Sequence, residues 1–308
     1  MGWIFSMVLQ AVIIILLAPF IQGVIKKTKA RMQNRIGPSI WQPYYDVIKF
    51  MKKDAVLSHH SSWLSIVTPY IVFVSIVTAG IFIPTYSLHN EWNFIGDVIL
   101  VVYLFGVARF FTALTALDAG GSFGGMGSSR EMALSAIAEP ALLLALFSVC
   151  LSSETMKLPH LVVSLTHNGW DWFAPSYVLA FFAMLIVVIA ETGRIPVDNP
   201  DTHLELTMVH EGMLLEYSGR YLGLMMWAAQ IKQLLLLSLF INLFFPWGIE
   251  GEHIFVSFLL YVAKLLALGM LLAFIETMYA KIRLFKVPKL LGSSMILSLM
   301  AILLRVFE

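Results

Sequence analysis

Five ionisable side chains, Arg109, Glu139, Lys232, Lys264 and Glu276, fall inside stretches otherwise built from aliphatic and aromatic residues. A charge at the centre of a helix in hydrocarbon costs at least ~2.5–3.5 kcal/mol on insertion scales, so such residues pair, line a polar cavity or mark a path for protons or ions. Glu139 precedes Pro140, whose ring frees a carbonyl of the preceding turn for water or a polar group. It also stands eight positions after Glu131, near the same helical face, so the two carboxylates read as consecutive steps of a proton path. Glu276, near the end of its apolar run, reads as solvated or as paired with Lys281 or Arg283.

A second group lies in ETGRIPVDNPDTHLELTMVHEGMLLEYSGR, Glu191 to Arg220, which gathers Glu191, Asp198, Asp201, Glu205, Glu211 and Glu216 with His203 and His210. Carboxylates crowded into a partly buried segment repel one another and lose hydration, which raises their proton affinity and suits them to holding protons. A metal site is the competing chemistry, but His203 and His210 lack the three- or four-residue spacing that brings two ligands together on a helix. His203 to Tyr217 is predicted helical, with Asp201 or Thr202 as its N-cap.

Two further segments carry punctuation rather than reactive groups. AGGSFGGMGSSRE, Ala119 to Glu131, has no Gly-Lys-Ser/Thr and no strand before it, so it reads as a flexible loop that permits close backbone approach. Ser128 or Ser129 would cap the helix that follows. KKTKARMQNRIGPSIWQPYYDVIKFMKK, Lys26 to Lys53, is basic enough to anchor on anionic lipid. Its Gly37-Pro38 and Gln42-Pro43 turns and its Trp41, Tyr44 and Tyr45 suit an amphipathic stretch at the interface or against a partner.

The elements that must position these residues follow from composition. The 308 residues are 59% hydrophobic and 13% charged, with mean hydropathy +0.84, too apolar for an ordinary soluble enzyme. Apolar runs long enough to cross a ~30 Å hydrocarbon layer begin near Trp3, Ser65, Ile95, Met132, Tyr177, Leu222, Ile254 and Leu290. The expected fold is an all-α integral membrane protein, a single domain over 1–308 built as a bundle of about eight transmembrane helices. Its cytoplasmic docking loops are expected near 26–64, 118–131, 191–221 and 280–289. The fifth run is short and is expected to begin nearer Trp172, and Pro140 to kink the fourth.

Fifteen of the twenty lysines and arginines fall in the odd-numbered gaps, which places both termini on the non-cytoplasmic side. The first run has its basic residues after it, the reverse of a cleavable signal, so it is expected to be retained. A single cysteine, Cys150, allows neither an internal disulfide nor a cysteine-ligated metal or iron–sulfur site, and the eight histidines sit in or beside the gaps, which argues against haem. Net charge +1 argues against nucleic acid, where a basic stripe would be expected. A stand-alone transporter would show paired halves, and no repeat is visible.

Three segments on this eight-run framework, ARMQNRIGPSIWQPYYDVIKF (Ala30 to Phe50), SSREMALSAIAEP (Ser128 to Pro140) and AETGRIPVDNPDTHLEL…LEYSG (Ala190 to Gly219), resemble one family. It is the membrane subunit shared by respiratory complex I and energy-converting membrane-bound NiFe-hydrogenases, including formate hydrogenlyase. The Arg-Ile-Gly-Pro and Trp-Gln-Pro-Tyr-Tyr-Asp-Val-Ile-Lys runs, the pattern from Leu117 to Glu131, and Lys232-Gln233 look closer to the hydrogenase branch. The acidic segment departs from the complex I pattern by extra residues between Leu206 and Glu216.

The resemblance implies a non-redox subunit of a prokaryotic cytoplasmic membrane, a heel for a soluble arm, with the NiFe centre and iron–sulfur clusters in partners. Those partners are a NiFe-hydrogenase large subunit, an iron–sulfur small subunit and antiporter-like membrane subunits. Docking contacts would be Arg31, Arg35, Gly37, Pro38, Gln42, Asp46 and Lys49. A proton relay would run through Glu131, Glu139, Glu191, Asp198, Asp201, Glu205, Glu211 and Glu216. Arg194 would be the charge partner of Glu139 and Glu191, accompanied by Arg130, Arg109, Lys232 and Lys264. The alternative it leaves open is a quinone-chamber subunit of a complex I-like dehydrogenase.

Overall fold

The computed structural model describes residues 2–58, 60–85, 97–153, 155–167, 174–199, 208–248 and 254–307. Ten α-helices follow one another among them: α1 (Gly2–Met32), α2 (Gln42–Met51), α3 (Leu64–Phe82), α4 (Val98–Asp118), α5 (Ser122–Ser153), α6 (Leu158–His167), α7 (Pro175–Glu191), α8 (Gly219–Phe244), α9 (Ile254–Met278) and α10 (Val287–Phe307). Seven are long and apolar enough to cross a membrane, and α7 is a shorter apolar one. No strand occurs among the described residues; Asp97 and Lys157 form only an isolated bridge.

The bundle is organised around α8. Its run from Leu234 to Phe244 is apolar on every side apart from Ser238 and Asn242, and all of it is buried, as expected of a helix surrounded by others. α1, α2, α3 and α9 pack on it, α4 lies on α3, and α5, α7 and α10 form the other flank. The polar exceptions are satisfied within the bundle: Ser238 shares a hydrogen bond with Tyr261, and Asn242 donates to the Pro84 carbonyl. Gln10 of α1 donates to three carbonyls at the end of α3, those of Gly80, Ile81 and Ile83, at 2.7–3.3 Å.

Several sequence expectations change. The glycine-rich segment is not a flexible loop: α5 begins at Ser122 and runs as one helix through Pro140. Its glycines serve close packing. A Cβ at Gly124 would lie 2.9 Å from the Ala116 carbonyl, and one at Gly127 3.1 Å from the backbone of Gly212. Ser128 and Ser129 are therefore inside the helix and bond the Ala113 and Met126 carbonyls instead of capping.

The helix expected over His203 to Tyr217 lies partly outside the described residues, and its described part is only a 3-10 turn, Glu211–Leu214. Here the backbone finds partners elsewhere, because Arg130 donates to the Met208 carbonyl and the His210 N–H points to the Asp198 carboxylate. α1 continues past Ile25 to Met32, so Lys26 to Arg31 are helical, and α6 occupies the gap between α5 and α7. α7 starts at Pro175 rather than near Trp172, and Trp172 is outside the described residues.

α2 is the amphipathic stretch. It buries Pro43 and Val47 against the bundle, and the Tyr44 hydroxyl donates to the Leu16 carbonyl of α1. Partial burial raises the Tyr44 hydroxyl above the usual phenol range.

Candidate functional site

The site begins where α7 ends. Thr192 closes the helix, Gly193 adopts φ +60°, and the Gly193 and Arg194 N–H groups bond back to the Ala190 and Ile189 carbonyls. This is a Schellman ending, which needs a residue free to take left-handed φ. It turns the chain so that Glu191 and Arg194, three residues apart, enter different clusters.

Glu191 faces α4. Its Oε2 accepts from Arg109 Nη2 and from Lys232 Nζ, the latter at 3.0 Å, and its side chain is 1% exposed. Arg109 reaches two further carboxylates, Glu139 at 2.7 Å and Glu131 at 3.5 Å. Three carboxylates and two cations thus meet from α4, α5, α7 and α8. Glu131 and Glu139 do share one face of α5, and the guanidinium bridges them. Burial changes sharply through the cluster: Glu131 is 18% exposed and Glu139 41%, on the outer flank of the bundle.

Arg194 goes the other way. It pairs with Glu276 of α9 at 2.9 Å and donates to Gln233 at 2.7 Å and to Gln22. Its expected role as partner of Glu139 and Glu191 is therefore not met; Arg109 and Lys232 occupy that place. Glu276 is neither solvated nor paired with Lys281 or Arg283. It is buried between Arg194 and Lys29, the latter at 3.2 Å. Lys281 instead holds Asp198 at 2.7 Å.

Lys264 also leaves the expected set. It donates to the Phe245 and Trp247 carbonyls at the far end of α8. Arg130 donates to the Met208 backbone carbonyl. Glu216 is exposed and lies over Gly121, and Glu211 is half-buried in the 3-10 turn. Asp201 and Glu205 lie outside the described residues. Of the proposed docking residues, Arg31, Arg35, Gly37, Pro38, Gln42 and Lys49 are exposed, and Asp46 is half-buried with its carboxylate accepting from Gln42.

Three cavities of about 100, 30 and 140 Å³ adjoin the clusters, each of a size that admits water. The first has apolar walls from Val72, Ile76 and Phe105 and a charged end at Arg109, Glu191 and Lys232. The third reaches Lys26, Arg194 and Gln230. Sequence reasoning missed Gln22 and Lys29 as partners of buried charges. It weighed His210 only as a metal ligand, yet this residue lines all three cavities. No cluster of three metal-ligating side chains occurs among the described residues.

Enclosure lowers the His210 imidazole below its ordinary range; Lys232 and Arg109 act in the same direction, and Glu131 and Asp198 oppose. The neutral form is thus favoured in the fold. Below about pH 6.5, the ordinary histidine value, the unfolded chain binds a proton that the folded chain does not, so stability falls as pH drops through this window. Heat inactivation of the detergent-extracted protein should accelerate between pH 7.5 and 5.5. His210→Gln should flatten that part of the pH dependence.

Seven helices long and apolar enough to span, with the shorter apolar α7, enclose clusters of paired charges and define a multi-pass membrane protein. The chain belongs to the NADH dehydrogenase family, whose sequence profile matches residues 5–306. It is 31% identical to formate hydrogenlyase subunit 4 of Escherichia coli (strain K12) over 286 residues, 92% of each chain. It is 34% identical to hydrogenase-4 component C of the same organism, covering 86% of this chain and 82% of that one. A NADH-quinone oxidoreductase subunit of Aquifex aeolicus (strain VF5) is 26% identical over 75% of this chain and 72% of its own length. In fold, the chain matches a subunit of the membrane-bound sulfane sulfur reductase, an archaeal respiratory membrane complex, with TM-score 0.87 and 21% identity over 99% of this chain and 100% of that one.

Proposed function

We propose that this chain is the non-redox membrane subunit of an energy-converting NiFe-hydrogenase complex of the formate hydrogenlyase type. It anchors the soluble arm and couples electron transfer to proton or sodium movement. The observation that carries this is the run of charged groups from buried Glu191 through Arg109 to Glu139 on the outer flank. Such a run joins the interior to the lateral surface, where an antiporter-like membrane subunit would receive the ion. A purely structural anchor has no need of a carboxylate there. The exposed residues of the basic segment, Arg31, Arg35 and Lys49 among them, would dock the large and iron–sulfur subunits, which would hold the NiFe centre and clusters. The acidic segment after α7 would face the same arm at the cytoplasmic side.

The test is gentle extraction of the tagged chain from a prokaryotic cytoplasmic membrane, with nickel, iron and hydrogen evolution measured on one sample. Stoichiometric nickel with an iron–sulfur subunit and hydrogen activity is the expected result; a clean monomer lacking metals overturns it. Glu139→Gln, on the half-exposed face, should assemble to normal abundance and lose at least half of the ion movement per hydrogen formed. Unchanged translocation in that variant would sink the relay role of Glu139.

The apolar walls and charged end of the 100 Å³ cavity favour a second reading, a quinone-chamber subunit of a complex I-like dehydrogenase. Iron and flavin without nickel, and saturable inhibition by a quinone analogue, would support it.

A further inference from the structure

We propose that His210 is the proton-transfer residue that joins the Asp198 side of the site to the Arg109 cluster. The proposal rests on the relay reading above and assigns it a specific step. Its basis is position. Among the described residues around the three cavities, only Gly193 and His210 border every one, and glycine has no side chain to offer. Among the described residues, His210 is therefore the one side chain common to all three cavities.

The groups that face it come from every neighbouring element. Arg109 of α4, Glu131 of α5, Glu191 at the end of α7 and Lys232 of α8 lie on one side. Asp198, Arg194 and Glu211 line the third cavity with it, Lys26 of α1 lying beyond them, and the second cavity sets Asp198 near Glu131 and Arg109. The carboxylates on the two sides are fixed by different partners: Asp198 by Lys281 and the backbone N–H groups of Asn199 and His210, and Glu131 by Arg109. Between them the arginines cannot take part, since guanidinium does not give up its proton near neutral pH. A neutral imidazole can, because it has one nitrogen that accepts and another that donates.

A proton held by the Asp198 carboxyl passes to the accepting ring nitrogen, giving imidazolium. The N–H on the other nitrogen then breaks, and its proton goes to the Glu131 carboxylate. The products are carboxylic acid at Glu131, carboxylate at Asp198 and neutral imidazole in the opposite tautomer, which ring rotation resets. No electron changes hands.

The test uses the intact complex in proteoliposomes, with hydrogen evolution driven by reduced methyl viologen and a pH-sensitive dye in the lumen. His210→Gln keeps a donor and an acceptor but has no titratable ring; it should lower protons moved per hydrogen at least tenfold at normal complex abundance. His210→Ala should show the same loss and recover several-fold when millimolar imidazole is added, a response that a packing role would not give. Full proton movement in His210→Gln, absence of imidazole rescue in His210→Ala, or sodium transport without protons in the unmodified complex overturns the assignment. An unmodified complex that turns over and moves no ion overturns the relay reading itself, so the two failures are distinct. Should neither variant assemble, Glu131→Gln and Asp198→Asn decide. Two blocks on one serial path leave the double variant no slower than the slower single, whereas losses that multiply overturn the proposal.

Discussion

Arg109→Gln is expected to remove most of the protein from the membrane. The guanidinium is the shared partner of Glu131, Glu139 and Glu191, and its loss leaves three carboxylates facing one cation, Lys232. Removing one partner of a buried ion pair costs roughly 3–5 kcal/mol, because the remaining charge stays buried without compensation. That is comparable to much of the whole stability of an ordinary domain. Glu191→Gln should be milder, since Arg109 keeps two carboxylates. Combining it with Arg109→Gln should restore part of the lost abundance. Immunoblots of washed membranes and inactivation half-lives of the extracted protein measure both, and normal abundance of Arg109→Gln would show that the cluster is not held by this side chain.

The second large effect is expected at Glu276, and it is asymmetric. Glu276→Gln removes the one carboxylate on which two buried cations, Lys29 at 3.2 Å and Arg194 at 2.9 Å, converge. A loss of the same order, roughly 3–5 kcal/mol, follows from the same physical cause. Arg194→Gln leaves the Glu276–Lys29 pair in place and gives up hydrogen bonds to Gln22 and Gln233, so it should cost less. The check is the order of the two variants in thermal inactivation; equal losses would mean that Arg194, not the carboxylate, organises this cluster.

The helices were legible in the sequence because hydrocarbon thickness imposes a length on every spanning run, and that constraint acts locally. The first half of α5 was not, since Ser122 to Gly127 has poor helix propensity and no apolar run. It is helical because its small residues let it press against α4 and the Glu211–Leu214 turn. Charge inside the apolar runs announced itself as well: Arg109, half-exposed Glu139, Lys232 and Glu276 are paired with opposite charges, and Lys264 bonds backbone carbonyls. Their partners were harder to read, because Arg109 and Glu191 stand 82 positions apart. The partner of Arg194 was not legible either: the glycine turn at the end of α7 sends Arg194 and Glu191 to different clusters. His210 carried no distinguishing signal, since its importance lies in the meeting of cavities formed by distant segments.

The amide of Gln10 carries an implication for biosynthesis. It satisfies carbonyls of Gly80, Ile81 and Ile83 that the end of α3 leaves without helical partners. In hydrocarbon, each such group left bare costs several kcal/mol. The third helix to emerge in sequence therefore cannot settle its C-terminal end until the first is alongside, which makes their pairing an early checkpoint of insertion, set before the charged core exists.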